Sequence, residues 1–289
     1  MKIANIEGRA HIVTESGGVD VELASDGRFP SDNQQLILQL DELQSWYAGS
    51  DLVADPSLST DRLQESLDRL QSPVPNPSQV FAIGLNYKAH GDEVSMTATQ
   101  EPMIFTKFPS SITGPGATIP LPTDTTDWEV ELVVVIGEAG RNIRRDDALK
   151  HVAGYCVGQD ISERTLQLAC TPPQFSIAKS FAAFAPMGPW LTTADEVDIT
   201  SLRLTCHAAG ETLQEGNTSD MIFDIPTLIA YLSNICELRT GDIIFTGTPD
   251  GVGMGCKPPR YLQDGWLLET SIEGLGTLAN PCRRMPHGL

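Results

Sequence analysis

Asp127-Trp128-Glu129-Val130-Glu131-Leu132-Val133-Val134-Val135-Ile136-Gly137 is the stretch whose reading decides the fold. Its aliphatic run from Leu132 to Ile136 is rich in β-branched residues and is closed by Gly137, which predicts a strand over 129–137. Residues two apart in a strand point to the same face at roughly 6.5–7 Å. Glu129 and Glu131 therefore share one face of an otherwise apolar element. Two ionised carboxylates in a partly buried place repel each other unless positive charge stands between them. A hard divalent cation is the obvious candidate.

Outward from this strand, short strand-like runs recur at 80–84, 103–106, 152–159, 202–207, 242–246 and 267–272, whereas only 162–169 and 225–235 read as clearly helical. That balance disfavours a parallel doubly wound sheet and predicts a β-rich α+β body. Ser72-Pro-Val-Pro-Asn-Pro-Ser78 holds three prolines in seven residues and reads as an extended linker. It divides the chain into a small N-terminal α/β unit, 1–75, and a body, 76–289, in which the chemistry gathers. The first unit is expected to contain strands at 10–13 and 19–23 and helices at 32–46 and 60–70.

Composition narrows the partners. With 19 Lys plus Arg against 38 Asp plus Glu, the formal charge of −19 repels phosphate backbones and anionic lipid, so nucleic acid and membranes are not expected partners. An anionic substrate would need local positive charge within its site. The start, Met1-Lys-Ile-Ala-Asn-Ile-Glu-Gly8, turns polar before a signal-type apolar stretch forms, and the longest aliphatic run is too short to span a bilayer; the expected compartment is the cytoplasm. The 6 cysteines include no C-x-x-C pair and read as reduced, mostly buried thiols.

Asp160 ends the apolar run 153–159 and opens Asp160-Ile-Ser-Glu-Arg164, where strand gives way to helix. By itself it is an N-cap. With Glu129 and Glu131 it would complete an all-oxygen triad suited to Mg²⁺, Mn²⁺ or Ca²⁺. His90 and Glu93 stand three apart, so that in a helical turn the carboxylate can hold the imidazole and raise its basicity. Lys107 and Lys179 lie in apolar surroundings that suggest partial burial, although lysines snorkel readily. The Gly-rich stretch 246–255 lacks the Walker order, and its tight turns remain able to bring backbone N–H groups and Thr248 to a small anion.

In combination these residues resemble a known family. Gly84-Leu-Asn-Tyr87 with His90 and Glu93, Asp127-Trp-Glu-Val-Glu-Leu132, Asp160-Ile-Ser-Glu-Arg164, Lys179-Ser180, Pro186-Met-Gly-Pro-Trp190, Gly241-Asp-Ile-Ile-Phe-Thr-Gly-Thr-Pro249 and Gly251-Val-Gly253 occur in this order in the fumarylacetoacetate hydrolase family. The resemblance covers roughly 78–280 and implies a mixed β-sandwich roll, usually a homodimer. It implies a divalent metal, Mg²⁺ or Mn²⁺ with Ca²⁺ as a substitute in crystals, at Glu129, Glu131 and Asp160. It also makes His90 and Glu93 a water-activating dyad on a lid, Lys179 a cationic partner to substrate oxygens, and Arg164, Gln167 and Thr248 substrate-contacting residues. Glu163, where relatives often carry a small residue, departs from the pattern, and its charge beside Arg164 is expected to bear on substrate choice.

The resemblance implies metal-dependent hydrolysis of a carbon–carbon bond in an acylpyruvate-like 2,4-dioxo acid, giving pyruvate or a related 2-oxo acid and a carboxylic acid, in aromatic-compound or sugar-acid catabolism. Two alternatives stand beside it. One keeps the site but decarboxylates or tautomerises an oxaloacetate-like diacid, or hydrates or isomerises a dienoate. The other takes the three carboxylates as a structural Ca²⁺ site in a binding protein.

Overall fold

The structure is a computed structural model that describes residues 1–93 and 100–286; of His90 and Asp92 it describes the backbone alone. The decisive strand runs Val130–Ile136 and is buried along its whole length. It pairs antiparallel with Val152–Gln159 on one side and with Ile243–Phe245 on the other. Its two faces meet different neighbours, as the period of two requires. Val130, Leu132, Val134 and Ile136 enter one apolar cluster with Leu204, Leu268 and Leu278. Val133 and Val135 enter another with Leu36, Ile37 and Leu43. A strand covered on both sides can be apolar throughout, which explains the unbroken run 132–136.

Among the described residues the largest sheet has eleven strands. Its central order, read along the path, is Gly17–Asp20, Arg9–Thr14, Lys2–Ile6, Ala185–Thr193, Val152–Gln159, Val130–Ile136, Ile243–Phe245, Val80–Gly84 and Met103–Thr106. A five-stranded sheet, which includes Arg203–Ala208, Leu267–Ile272 and Gly276–Arg284, supplies the residues that cover one face. This is the β-rich α+β architecture expected of the chain.

The N-terminal segment adds its strands to the same sheet, because Lys2–Ile6 pairs with Ala185–Thr193. The proline-rich stretch after it is not a free tether: Ser72, Pro73 and Val74 are buried, and Asn5 and Asn33 donate to the carbonyls of Ser72 and Pro73. The expected helix at 32–46 is present as a short α-helix at Asn33–Leu36, a 3₁₀ segment at Ile37–Gln39 and an α-helix at Leu40–Ala48. The expected strand at 19–23 stops at Asp20, whose carboxylate caps the next turn by accepting from the Leu23 amide. The stretch 60–70 is α-helical to Gln64 and 3₁₀ at Leu67–Arg69, and Leu70 leaves to pair with Ile6. Of the cysteines, all free, Cys156, Cys206 and Cys282 are buried, Cys236 and Cys256 are half-buried and Cys170 is exposed. Among the described residues no helix is long and apolar enough to cross a membrane.

Candidate functional site

Strand register brings the carboxylates together. Val130 pairs with Gln159 and Glu131 with Gly158, so continuing the antiparallel register sets Asp160 opposite Glu129. The Asp160 amide donates to the Glu129 carbonyl at 2.9 Å. Oxygens of Glu129, Glu131 and Asp160 then lie within 4.8 Å of one another, all three residues buried. Asp160 is not a helix cap. That place is taken by Glu163, which accepts from the amides of Thr165 and Leu166 at the start of Arg164–Leu168.

Cations surround the triad on two sides. Lys179 Nζ donates to Glu129 Oε2 at 2.6 Å and to Asp160 Oδ2 at 2.7 Å. Lys107 Nζ donates to the other oxygen, Asp160 Oδ1, at 2.5 Å and also to the Lys179 carbonyl. Arg164 donates through Nη2 to Glu129 Oε1 at 2.7 Å, through Nε to Asp127 Oδ2 at 2.8 Å and through Nη1 to Gln167 Oε1 at 2.8 Å. Burial opposes the charge on Lys179, yet the Asp160 and Glu129 carboxylates hold its ammonium above the usual lysine range. For Lys107 burial dominates and pushes the ammonium below that range, with Asp160 acting against it.

Glu131 differs from its neighbours. Its Oε2 accepts from the Gly247 amide at 2.8 Å, and among the described residues no cation pairs with it. Burial, then the Asp160 and Glu129 charges, push its carboxyl well above the ordinary glutamate range. Gly247 can deliver that amide only as glycine: its φ is +100°, and a Cβ there would sit 2.7 Å from Asn86 Cβ. Asn86 in turn ties the 84–87 turn to this loop, donating to the carbonyls of Thr246 and Phe223.

The remaining expected residues fall around the same cleft. Arg164, Gln167, Lys179 and Thr248 line it together with Glu129 and Glu131. Thr248 Oγ1 accepts from Gln214, whose own carbonyl oxygen holds the Val130 amide. The short helix Lys88–Glu93 stands near the Gly-rich loop, where Glu93 Oε1 accepts from the Gly251 amide at 3.1 Å. The His90 side chain lies outside the described residues.

Glu163 is not among the residues that line the cleft. Its buried carboxylate is taken up by Thr123, Thr125 and the two helix amides, which together hold it ionised against burial. Sequence reasoning assigned no role to Lys107 or Asp127. Lys107 was visible as a lysine with apolar flanks, and the structure shows it fully buried against Asp160. Asp127 was quoted without a role; it joins Arg164 to the Gly-rich loop by accepting from the amides of Gly253 and Met254.

Three buried carboxylates offering hard oxygens, balanced by lysine and arginine beside two central strands of the large sheet, define a site that could hold a divalent cation. The chain belongs to the fumarylacetoacetate hydrolase family: the family's C-terminal domain matches residues 79–283. Its members include hydrolases, isomerases and tautomerases. Among similar proteins, the human mitochondrial oxaloacetate tautomerase FAHD2A is 43% identical over 212 residues, covering 72% of this chain and 68% of that one. The crystal structure of a protein described as HpcE from Mycobacterium smegmatis superposes with a TM-score of 0.91 at 48% identity, covering 98% of this chain and 99% of that one. The maleylpyruvate hydrolase of Sphingobium sp. SYK-6, solved with manganese(II) and pyruvate, has a TM-score of 0.78 at 28% identity, covering 98% and 99%.

Proposed function

We propose that the protein is a divalent-metal-dependent hydrolase that cleaves a carbon–carbon bond in an acylpyruvate-like 2,4-dioxo acid, releasing pyruvate or a related 2-oxo acid and a carboxylic acid. The observation that carries this reading is the charge balance of the site. Asp127, Glu129, Glu131 and Asp160 face Lys107, Arg164 and Lys179, and among the described residues Glu131 is the one of these carboxylates with no cation paired to it. Glu129, Glu131 and Asp160 would hold Mg²⁺ or Mn²⁺, which when bound supplies Lewis-acid polarisation of a 2-oxo acid.

The chain's own residues do the rest. Arg164 and Lys179 fix the two Glu129 oxygens, and Lys107 and Lys179 fix those of Asp160, so the triad is held before ligand arrives. Lys179 also lines the cleft and is placed to donate to the oxygen that gains negative charge as the bond breaks. His90, three residues before Glu93, takes the proton from the attacking water, and the Glu93 carboxylate stabilises the resulting imidazolium. Gln167 and Thr248 orient the substrate. Docked on the cleft, the Lys88–Glu93 helix acts as its lid.

A second reading, tautomerisation of oxaloacetate, is favoured by the 43% identity to the human oxaloacetate tautomerase. It would use the same residues to move a proton at C3 without cleavage. Assays of acylpyruvates, fumarylpyruvate and oxaloacetate, with and without Mg²⁺, separate the two: hydrolysis releases pyruvate, whereas tautomerisation changes only the enol absorbance. Metal-dependent pyruvate release from an acylpyruvate is expected. Full turnover by His90→Ala would remove that residue from the base role. The proposal extends to a homodimer acting in the cytoplasm on a small anionic substrate.

A further inference from the structure

We infer that the substrate carries one carboxylate and an apolar, uncharged group beyond its second carbonyl, received by a wall built from Met103, Phe105 and Phe175. The inference rests on the 2-oxo acid reading and chooses within it. The cleft is a small cavity of about 70 Å³ that opens to solvent. Its polar lining is Glu129, Glu131, Arg164, Gln167, Lys179 and Thr248. Most of the rest of its described lining is apolar, with Ile83, Leu85, Met103, Phe105, Leu168 and Phe175.

The wall is anchored to the chemistry. Phe105, on the strand Met103–Thr106, has its ring centroid 5.2 Å from Lys179 Nζ and 5.5 Å from the Phe175 ring. A substrate whose head meets Lys179 therefore extends its tail along these rings. Among the described lining residues the cations are Arg164 and Lys179, and both are engaged, Arg164 by Asp127 and Glu129, Lys179 by Glu129 and Asp160. None is left for a second substrate carboxylate, and an unpaired charge against an apolar wall is strongly disfavoured. The balance of charge agrees. Four carboxylates against three cations become one net positive charge with a divalent ion, which a single substrate carboxylate neutralises.

Two measurements test this on the intact Mg²⁺-loaded protein. In the first, kcat/KM for pyruvate release is compared across straight-chain acylpyruvates of increasing length and fumarylpyruvate. The expected result is a rise of about fourfold per methylene until the cleft fills, with the best monoacid at least tenfold above the diacid. In the second, calorimetry compares 2-oxohexanoate with 2-oxoadipate, which have the same chain length, in wild type and Phe175→Arg. The monoacid should bind at least tenfold tighter to wild type, and the added arginine should shrink or reverse that margin. A diacid that binds or turns over as well as the monoacid overturns the inference, whatever the reaction. Selective monoacid binding without pyruvate release from any substrate would instead overturn the hydrolase reading and leave the wall's role standing.

Discussion

Glu131 is the residue on which the site's electrostatics turn. Its carboxylate is buried beside two others and receives one amide hydrogen bond. Burial and the neighbouring Asp160 and Glu129 carboxylates oppose its charge in the metal-free protein, and the proposed function makes it a ligand in the metal-loaded one. Glu131→Gln should therefore raise the melting temperature in EDTA, since the amide keeps the shape and can still accept from Gly247. The same variant should lose the additional stabilisation that Mg²⁺ gives wild type, and its Mg²⁺ affinity by calorimetry should collapse. Unchanged Mg²⁺ affinity would remove Glu131 from the ligand set. This residue was legible from its two-residue spacing from Glu129 on an apolar strand. Lys107 was not, because its partners, Asp160 and the Lys179 carbonyl, are far away in sequence and nothing local distinguishes a buried lysine from a snorkelling one.

At the level of elements, the strands that could be read were those whose pattern is uninterrupted. Val80–Gly84, Met103–Thr106, Val152–Gln159 and Leu267–Ile272, with the helix Ile225–Ile235, have the expected limits. Ala185–Thr193 was not seen as a strand at all, because Pro186, Gly188 and Pro189 punctuate it, yet it is buried throughout and central to the large sheet. The stretch 32–46 was legible as helical, but not the 3₁₀ segment Ile37–Gln39 within it, where Leu38 is 66% exposed.

Helix Ile225–Ile235 offers a test of local stability. Asp224 caps it by accepting from the Thr227 amide and also pairs with Arg145. Partial burial raises its carboxyl, but the Thr227 hydroxyl and amide and then Arg145 hold it below the usual aspartate range. A depressed folded-state value means stability present above about pH 4, the unfolded aspartate value, and lost as pH falls through the folded one. Asp224→Ala should cost about 1 kcal/mol at neutral pH by denaturant unfolding. That difference should shrink in acid. An equal cost at pH 7 and in strong acid would show that the carboxylate is not the cap's source of stability.

For the whole molecule, the proposed metal at the buried triad would couple ion binding to folding. A ligand held only by the folded state stabilises by about 2.7 kcal/mol at a concentration 100 times its Kd. EDTA should lower the melting temperature by several degrees, and Mg²⁺ or Mn²⁺ should restore it; identical melting with and without metal would argue against a resident ion. The formal charge of −19 makes the clustered Lys107, Arg164 and Lys179 stand out, since the chain concentrates scarce positive charge around the buried carboxylates where the proposed anionic substrate would enter.

The pairing of Lys2–Ile6 with Ala185–Thr193 has a consequence for how the chain can be cut or fused. Ala185–Thr193 has Val152–Gln159 on its other side, and that strand in turn carries the backbone leading into Asp160. Deleting the first strands would uncover Trp190–Thr192 of this interior strand as an unpaired, sticky edge one strand away from the candidate site. The amino-terminal segment is thus a seal on the scaffold, and tags, fusions or partner-binding sequences are better tolerated at the exposed tip of the Gly8 turn than in place of the strands around it.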